Sequence, residues 1–215
     1  MPLWVAAVTD DISPSTVESG AAMGAEATTE GSSRQRFRAT PEAEARLLLL
    51  IDGFSRKSGG VPRSLEGRVK LAKLDFLVRY PRQLRRVLSA RSLKDKDKVL
   101  TSLDEASTDD APFDARMVRY RYGPWDPAYY ALLGALIGRQ LVEMLPLPGG
   151  TGFGYRTSSR GAELAAVLRD DESFAPIVAR TALLRRHLDL NGETLKKLLY
   201  ELSEVADASW HEELQ

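Results

Sequence analysis

Asp126-Pro127-Ala128-Tyr129-Tyr130-Ala131-Leu132-Leu133-Gly134-Ala135-Leu136-Ile137-Gly138-Arg139-Gln140 opens the stretch that decides the fold, and Leu141-Val142-Glu143-Met144-Leu145, Pro148-Gly149-Gly150-Thr151-Gly152 and Phe153-Gly154-Tyr155-Arg156-Thr157 complete it. Asp126 is a good helix cap and Pro127 a good first helical residue, so a helix is expected to open there. Tyr129, Leu132, Leu133, Leu136 and Ile137 fall on one side of it. Residues 141–145 and 153–157 read as strands joined by a Gly-rich turn. Ser158 or Ser159 then caps a further helix whose apolar positions are Leu164, Val167 and Leu168. Helix, hairpin, helix in this order is the pattern of a winged helix, with the hairpin as wing and residues 126–140 in the groove-reading position.

Upstream, Met117-Val118-Arg119-Tyr120-Arg121-Tyr122 alternates weakly and suggests a short strand, which Gly123-Pro124 breaks. A helix from Ser64 to Tyr80 carries Val69, Leu71, Ala72, Leu74, Phe76, Leu77 and Val78 and is apolar on most sides, as expected of a central core element. Pro81 ends it, because the residue before a proline is pushed out of helical angles. A short basic helix follows, in which Arg82, Arg85, Arg86 and Arg91 join Arg79 in one cluster. Ser92 to Ala111 is polar and mixed in charge, a surface loop or frayed helix. Thr40-Pro41 starts the first helix, with Leu47, Leu48, Ile51 and Phe54 at helical spacing.

Residues 1–38 are rich in Ala, Thr, Ser, Gly and Glu without apolar period, and read as a disordered tail; Met1 and Met23 are both candidate starts. At the other end, Phe174, Ile177, Val178, Leu184 and Leu188 mark one helix, and Leu195, Leu198, Leu199, Leu202 and Val205 a last one that ends near Trp210. That last stripe serves either the chain's own core or a partner helix. The expected protein is mainly α, a single winged-helix-like domain over 39–210 with additional N- and C-terminal helices.

Composition narrows the chemistry. The chain has no cysteine, which removes disulfides, thiolate ligands and cysteine nucleophiles. No apolar run approaches the roughly 20 residues that span a bilayer. The opening Leu3-Trp4-Val5-Ala6-Ala7-Val8 runs straight into Asp10 and Asp11, unlike a signal segment, so a cytoplasmic protein with no membrane partner is expected. Net charge is zero, yet residues 34–98 hold 18 Lys or Arg against 7 Asp or Glu, leaving 12 against 23 elsewhere. Such a split serves either an acidic partner or the packing of basic on acidic helices within one domain.

Catalytic signatures are absent. The two histidines, His187 and His211, have no carboxylates at metal-binding helical spacing with a third ligand. The glycines at 149–154 lack the Gly-Lys-Ser/Thr and the following helix that a phosphate loop needs. Asp170-Asp171-Glu172 sits where a solvated helix end is expected, and there is no nucleophile elbow. Neither enzyme activity, nor a cofactor, nor a metal is expected.

Binding remains. A base-reading helix offers Arg, Lys, Asn or Gln to the major groove. The helix at 126–140 has Arg139 and Gln140 only at its far end, and Ala131, Gly134, Ala135 and Gly138 along its middle. Such a small-sided helix suits close packing against polypeptide, either its own or a partner's. Sequence-independent phosphate contact through Arg79, Arg82, Arg85, Arg86 and Arg91 stays open, as does contact with a partner's carboxylates or with water alone.

Three motifs carry a resemblance. They are Lys70-Leu71-Ala72-Lys73-Leu74-Asp75-Phe76-Leu77-Val78-Arg79-Tyr80-Pro81, Met117 to Tyr122 with Gly123-Pro124-Trp125-Asp126-Pro127, and Tyr155-Arg156-Thr157-Ser158-Ser159-Arg160-Gly161. Over about residues 40–205 the chain resembles the middle component of bacterial ABC-three-component systems, the Lamassu type of anti-phage defence. The resemblance implies a small adaptor that bridges an SMC-like ABC ATPase to an effector, commonly a nuclease, and itself binds no nucleotide and cuts nothing. Tyr122, Gly123, Pro124, Trp125, Asp126 and Tyr129 are then the candidate partner-binding residues. A looser similarity is to the Panacea-type antitoxin domain, which would make the chain a winged-helix regulator or antitoxin that binds DNA or a toxin.

Overall fold

Thr40 and Pro41 open the first helix in the computed structural model, which describes residues 39–55, 63–105, 117–148 and 152–214. The Thr40 hydroxyl accepts the Ala43 amide at 3.2 Å, closing the cap that this pair encodes. The helix α1 (Pro41–Ser55) is buried on nearly every side from Leu47 to Ile51. It packs against four later helices and two strands, so it is the axis of the core. The tail at 1–38 and the middle of the Gly-rich turn lie outside the described residues.

The chain is mainly helical with a small antiparallel sheet. After α1 come β1 (Leu65–Glu66), α2 (Gly67–Arg79), α3 (Pro81–Ala90) and α4 (Lys96–Glu105). Then follow β2 (Val118–Tyr120), β3 (Gly123–Trp125), α5 (Tyr129–Gly138), β4 (Val142–Pro146) and β5 (Phe153–Thr157). The chain closes with α6 (Ser159–Asp170), a 3-10 turn at Glu172–Phe174, α7 (Ala175–His187), α8 (Gly192–Tyr200) and α9 (Ser203–Ala206). One sheet has the order β1-β5-β4, and β2 and β3 form a separate hairpin.

Several expectations need correction. The helix expected from Ser64 starts at Gly67, whose φ of 72° favours glycine, and Leu65–Glu66 instead pairs with Tyr155 and Gly154 as a third strand. Gly154 permits this approach: a Cβ there would lie 2.6 Å from Ser64 Oγ. Of the two alternatives for the polar stretch after Ser92, the helix is the one present over Lys96–Glu105, as α4, mostly exposed but with Val99 and Leu103 buried. Of the expected apolar positions of α6, only Leu168 packs, partly buried, against the core. Gly161 and Ala165 face inward, while Leu164 and Val167 are exposed. The reason is steric, since a Cβ at Gly161 would sit 1.9 Å from the Leu141 carbonyl oxygen. Only a small-residue face can come that close.

The last apolar stripe belongs to this chain's own core, with Leu195, Leu199, Leu202 and Val205 buried. The folded body also runs past residue 210. Leu214 is buried, its amide donates to Met117 O at 2.7 Å, and Glu213 bridges to Val118. No helix among the described residues is long and apolar enough to cross a membrane.

Candidate functional site

Four charged side chains meet inside the core where α1, α2 and the entry to α5 converge. Arg46, Asp75 and Arg79 are fully buried and Asp126 nearly so. Arg46 Nε donates to Asp75 Oδ1 at 2.8 Å, and Tyr129 Oη donates to Asp75 Oδ2 at 2.8 Å. Arg79 Nη1 donates to Asp126 Oδ2 at 2.7 Å and lies 3.7 Å from Asp75 Oδ2. The other oxygen of Asp126 accepts the Ala128 amide at 2.8 Å, so one carboxylate both faces Arg79 on α2 and holds the turn that leads into α5. Two positive and two negative groups cancel, as burial demands.

Burial, reinforced by Asp75, pushes the Tyr129 phenol well above its ordinary range, so it stays a protonated donor. Burial and Arg46 press on the charge of Arg79, yet Asp75, Tyr129 and Asp126 outweigh them and its pKa is raised. Arg79 Nε and Nη2 face no acceptor among the described residues.

This network anchors the β2–β3 hairpin. Val118 pairs with Trp125, Arg119 with Pro124 and Tyr120 with Gly123, and Gly123 takes a φ of 111° that favours glycine. Gly123-Pro124 therefore continues the ladder as β3; it does not break the chain as its composition suggests. Strand β3 packs on α2, and Asp126 follows it directly into the core. The α5 helix begins at Tyr129, three residues later than its cap signal.

The six candidate partner-binding residues thus divide. Gly123, Pro124, Asp126 and Tyr129 are buried, so their roles are internal: turn, strand, ion pair and hydrogen-bond donor. Trp125 is half-buried and Tyr122 is 47% exposed. These two join side chains that the sequence pattern does not single out. Tyr120, Tyr122, Trp125 and Tyr130 enclose, with Arg68 and Val69, a slot of about 230 Å³ floored by Gly123 and Pro124.

The rings touch one another. Tyr120 lies 5.9 Å from Trp125 and from Trp210, and Trp125 meets Tyr129 edge-on at 5.2 Å and Tyr130 at 6.1 Å. The Arg68 guanidinium covers the Tyr130 ring at 4.5 Å and Arg121 covers Tyr122 at 5.4 Å. Tyr130 is 64% exposed and Trp210 63%. Large aromatics held rigidly at a surface, beside cations, are the usual makings of a recognition hot spot. Comparison with protein-family models, curated proteins and solved structures returns no match.

Tyr130 connects the slot to the outer face of α5. Ala131, Gly134 and Gly138 are exposed there. Nothing lies within 4 Å of where a Cβ would stand on Gly134 or Gly138, so these glycines pack on no other part of the described chain. The β4–β5 hairpin, in which Met144 pairs with Tyr155, exposes Met144 and Phe153.

The basic cluster does not hold together as the sequence suggests. Arg79 is buried in the ion network and is no surface cation. Arg85 pairs with Asp104 on α4, and Arg86 with Glu204 on α9. Arg82 is exposed and Arg91 half-buried. Carboxylates on α4 and α9 thus pair with two cations of the basic helix. Among the described residues no group of three His, Asp or Glu could hold a metal ion.

Proposed function

We propose that this chain is a non-catalytic adaptor subunit of a cytoplasmic anti-phage defence complex, built on a winged-helix-like framework and bridging an SMC-like ABC ATPase to an effector nuclease. The framework reading is supported by the path α1, β1, α2, then α5, β4, β5, with β5 between the other two strands. The segment from α3 to β3 would be an insertion before the groove-reading helix. The family resemblance supplies the partners' identities.

The exposed aromatic slot, continuous with the uncharged outer face of α5, carries the adaptor reading. A duplex reader needs hydrogen-bonding side chains along that helix. Here the middle offers Ala131 and Gly134, and Arg139 is engaged by Glu44. Polypeptide suits such a face better. Aromatic anchors would supply the affinity, and the glycines would let a partner backbone approach.

Co-expression with an SMC-like ATPase and a nuclease, if its neighbouring genes encode them, followed by purification through a tag on this chain, tests the reading. A stoichiometric complex is expected, and Tyr122→Ala with Tyr130→Ala should deplete it while the circular dichroism spectrum stays unchanged. The second reading, a winged-helix regulator or antitoxin, draws on the same sheet order. A salt-dependent duplex shift by the isolated chain, with no co-purifying subunit, would select it instead.

A further inference from the structure

We propose that the aromatic slot receives an extended, proline-containing acidic segment of a partner polypeptide, with one proline ring seated between the aromatic walls and carboxylates against Arg68 and Arg121. The inference deepens the adaptor reading, on which it rests for the occupant being polypeptide.

The slot's hydrogen-bonding groups select the backbone it can hold. Among the described residues, neither the hydroxyls of Tyr120, Tyr122 and Tyr130 nor the indole N–H of Trp125 has a hydrogen-bond partner. Indole and guanidinium groups only donate, and a phenol donates as readily as it accepts. The slot is therefore rich in donors and poor in acceptors. An α-helix would bring carbonyls already engaged in its own ladder. A polyproline-II segment has no internal hydrogen bonds, so its carbonyls are all available, and each proline removes an N–H that the slot could not satisfy.

The shape agrees. The slot measures about 230 Å³, and an apolar cavity of about 150 Å³ already accepts benzene, so one pyrrolidine ring fits with room for its flanking backbone. The Tyr120 and Trp125 rings are tilted by 31° and the Trp125 and Tyr130 rings by 62°, so the walls converge as in a trough. A puckered, saturated ring suits such walls better than a flat base, which stacks on a parallel face.

The rim fixes the sign of the charge. Arg85, Arg86, Arg139 and Arg156 on the surface each hold a carboxylate. Arg68 and Arg121 instead lie over the Tyr130 and Tyr122 rings, and no ion pair to either occurs among the described residues. A guanidinium stacked on a ring keeps its in-plane donors for a carboxylate. The acids are confined to that end. On the other side Tyr120 meets Trp210, and Asp207, Glu212 and Glu213 line the surface beyond it. A nucleic-acid strand is charged at every step and would run onto those carboxylates, whereas a polypeptide can carry its acids on one side only.

A random-peptide display selection against the full 215-residue chain tests this. Enriched peptides should share a proline with Asp or Glu on one side of it. They should not bind the protein carrying Tyr122→Ala with Tyr130→Ala, which removes two exposed rings and leaves the core intact. In fluorescence anisotropy, changing that proline to alanine in the best peptide should weaken binding about tenfold, the loss of one seated anchor. Arg68→Gln with Arg121→Gln should weaken it roughly fivefold, the worth of two exposed charge pairs, and about 0.5 M salt should weaken the unaltered protein similarly. Enrichment of basic or proline-free peptides would overturn the proposal, as would equal binding to the doubly substituted protein or no enrichment that depends on the slot. Displacement of the best peptide by an oligothymidylate would overturn it too, placing a nucleic-acid strand there. The selection contains neither ATPase nor nuclease, so a complex that fails to co-purify sinks the adaptor reading and leaves these outcomes as they stand.

Discussion

Asp126→Asn isolates the charge at the centre of the fold. Asparagine keeps an oxygen to accept the Ala128 amide, so the turn into α5 is retained, but the anion facing Arg79 is gone. Arg79 then has only Asp75 at 3.7 Å, and both oxygens of Asp75 are already engaged by Arg46 and Tyr129. The core is left with two cations and one anion. Breaking a buried pair by removing one partner costs about 3–5 kcal/mol, because the remaining charge stays desolvated. For a domain of this size a loss of about 3 kcal/mol corresponds to a fall in Tm of roughly 6–12 °C. Asp126→Ala should lose about 1 kcal/mol more, since the hydrogen bond from the Ala128 amide goes as well. The decisive measurement is a double-mutant cycle with Arg79→Met in urea, followed by far-UV circular dichroism. The double variant should be more stable than the two single losses predict, by at least about 2 kcal/mol, because neither charge is left alone. A loss below about 1 kcal/mol for Asp126→Asn, or an additive cycle, would refute the reasoning by showing that water reaches this network.

Glycines that look alike in the sequence should behave in opposite ways. Gly161→Ala drives a Cβ into the Leu141 carbonyl and should cost at least about 3 kcal/mol or abolish folding. Gly134→Ala enters open space and should stabilise the isolated protein by up to about 1 kcal/mol in the same urea titration. Burial, aided by Arg186 and Arg91, holds His187 below its ordinary pKa, so the unfolded chain takes up this proton first as pH falls. Stability should therefore drop on going from pH 7.5 through the histidine's unfolded pKa of about 6.5, and His187→Gln should flatten that slope. Arg85→Ala with Arg86→Ala removes two exposed, paired cations and should shift stability by no more than about 1 kcal/mol per pair. The same double variant should leave any gel shift with duplex DNA unchanged.

Much of the framework could be read from the chain because local chemistry and tertiary role agreed. Thr40-Pro41 and Ser158 are caps in the sequence and in the structure. The hairpin of β4 and β5 lies within one residue of its expected bounds. The misses have a common cause. Strand β1 is two residues long and exists only because Gly154 lets it approach β5, which no local pattern announces. Leu164 and Val167 show helical apolar spacing, yet the face that packs is the one small enough to meet Leu141. Arg79 looked like a member of a surface cluster because its partners, Asp75 and Asp126, lie on separate elements. Sequence spacing reports which residues share a helix face; it does not report which face wins.

The buried ions and the exposed rings are one device. An apolar replacement of four buried charges would often be as stable or more so, so stability alone is a weak reason for such a network. What it does here is geometric. Asp126 is the residue after Trp125, and its two oxygens tie the end of β3 both to Arg79 on α2 and to the turn that leads into α5. Tyr129, fixed by Asp75, presents its ring edge to Trp125 at 5.2 Å. Tyr130, the next residue, then has no inward direction left and must stand over the slot beneath Arg68. A loosened network would free the hairpin to slide or rotate on α2, and the rings would lose their mutual edge and face contacts even if every helix stayed folded. Asp126→Asn at a temperature where the protein remains native should therefore weaken whatever occupies the slot, although Asp126 itself never reaches the surface.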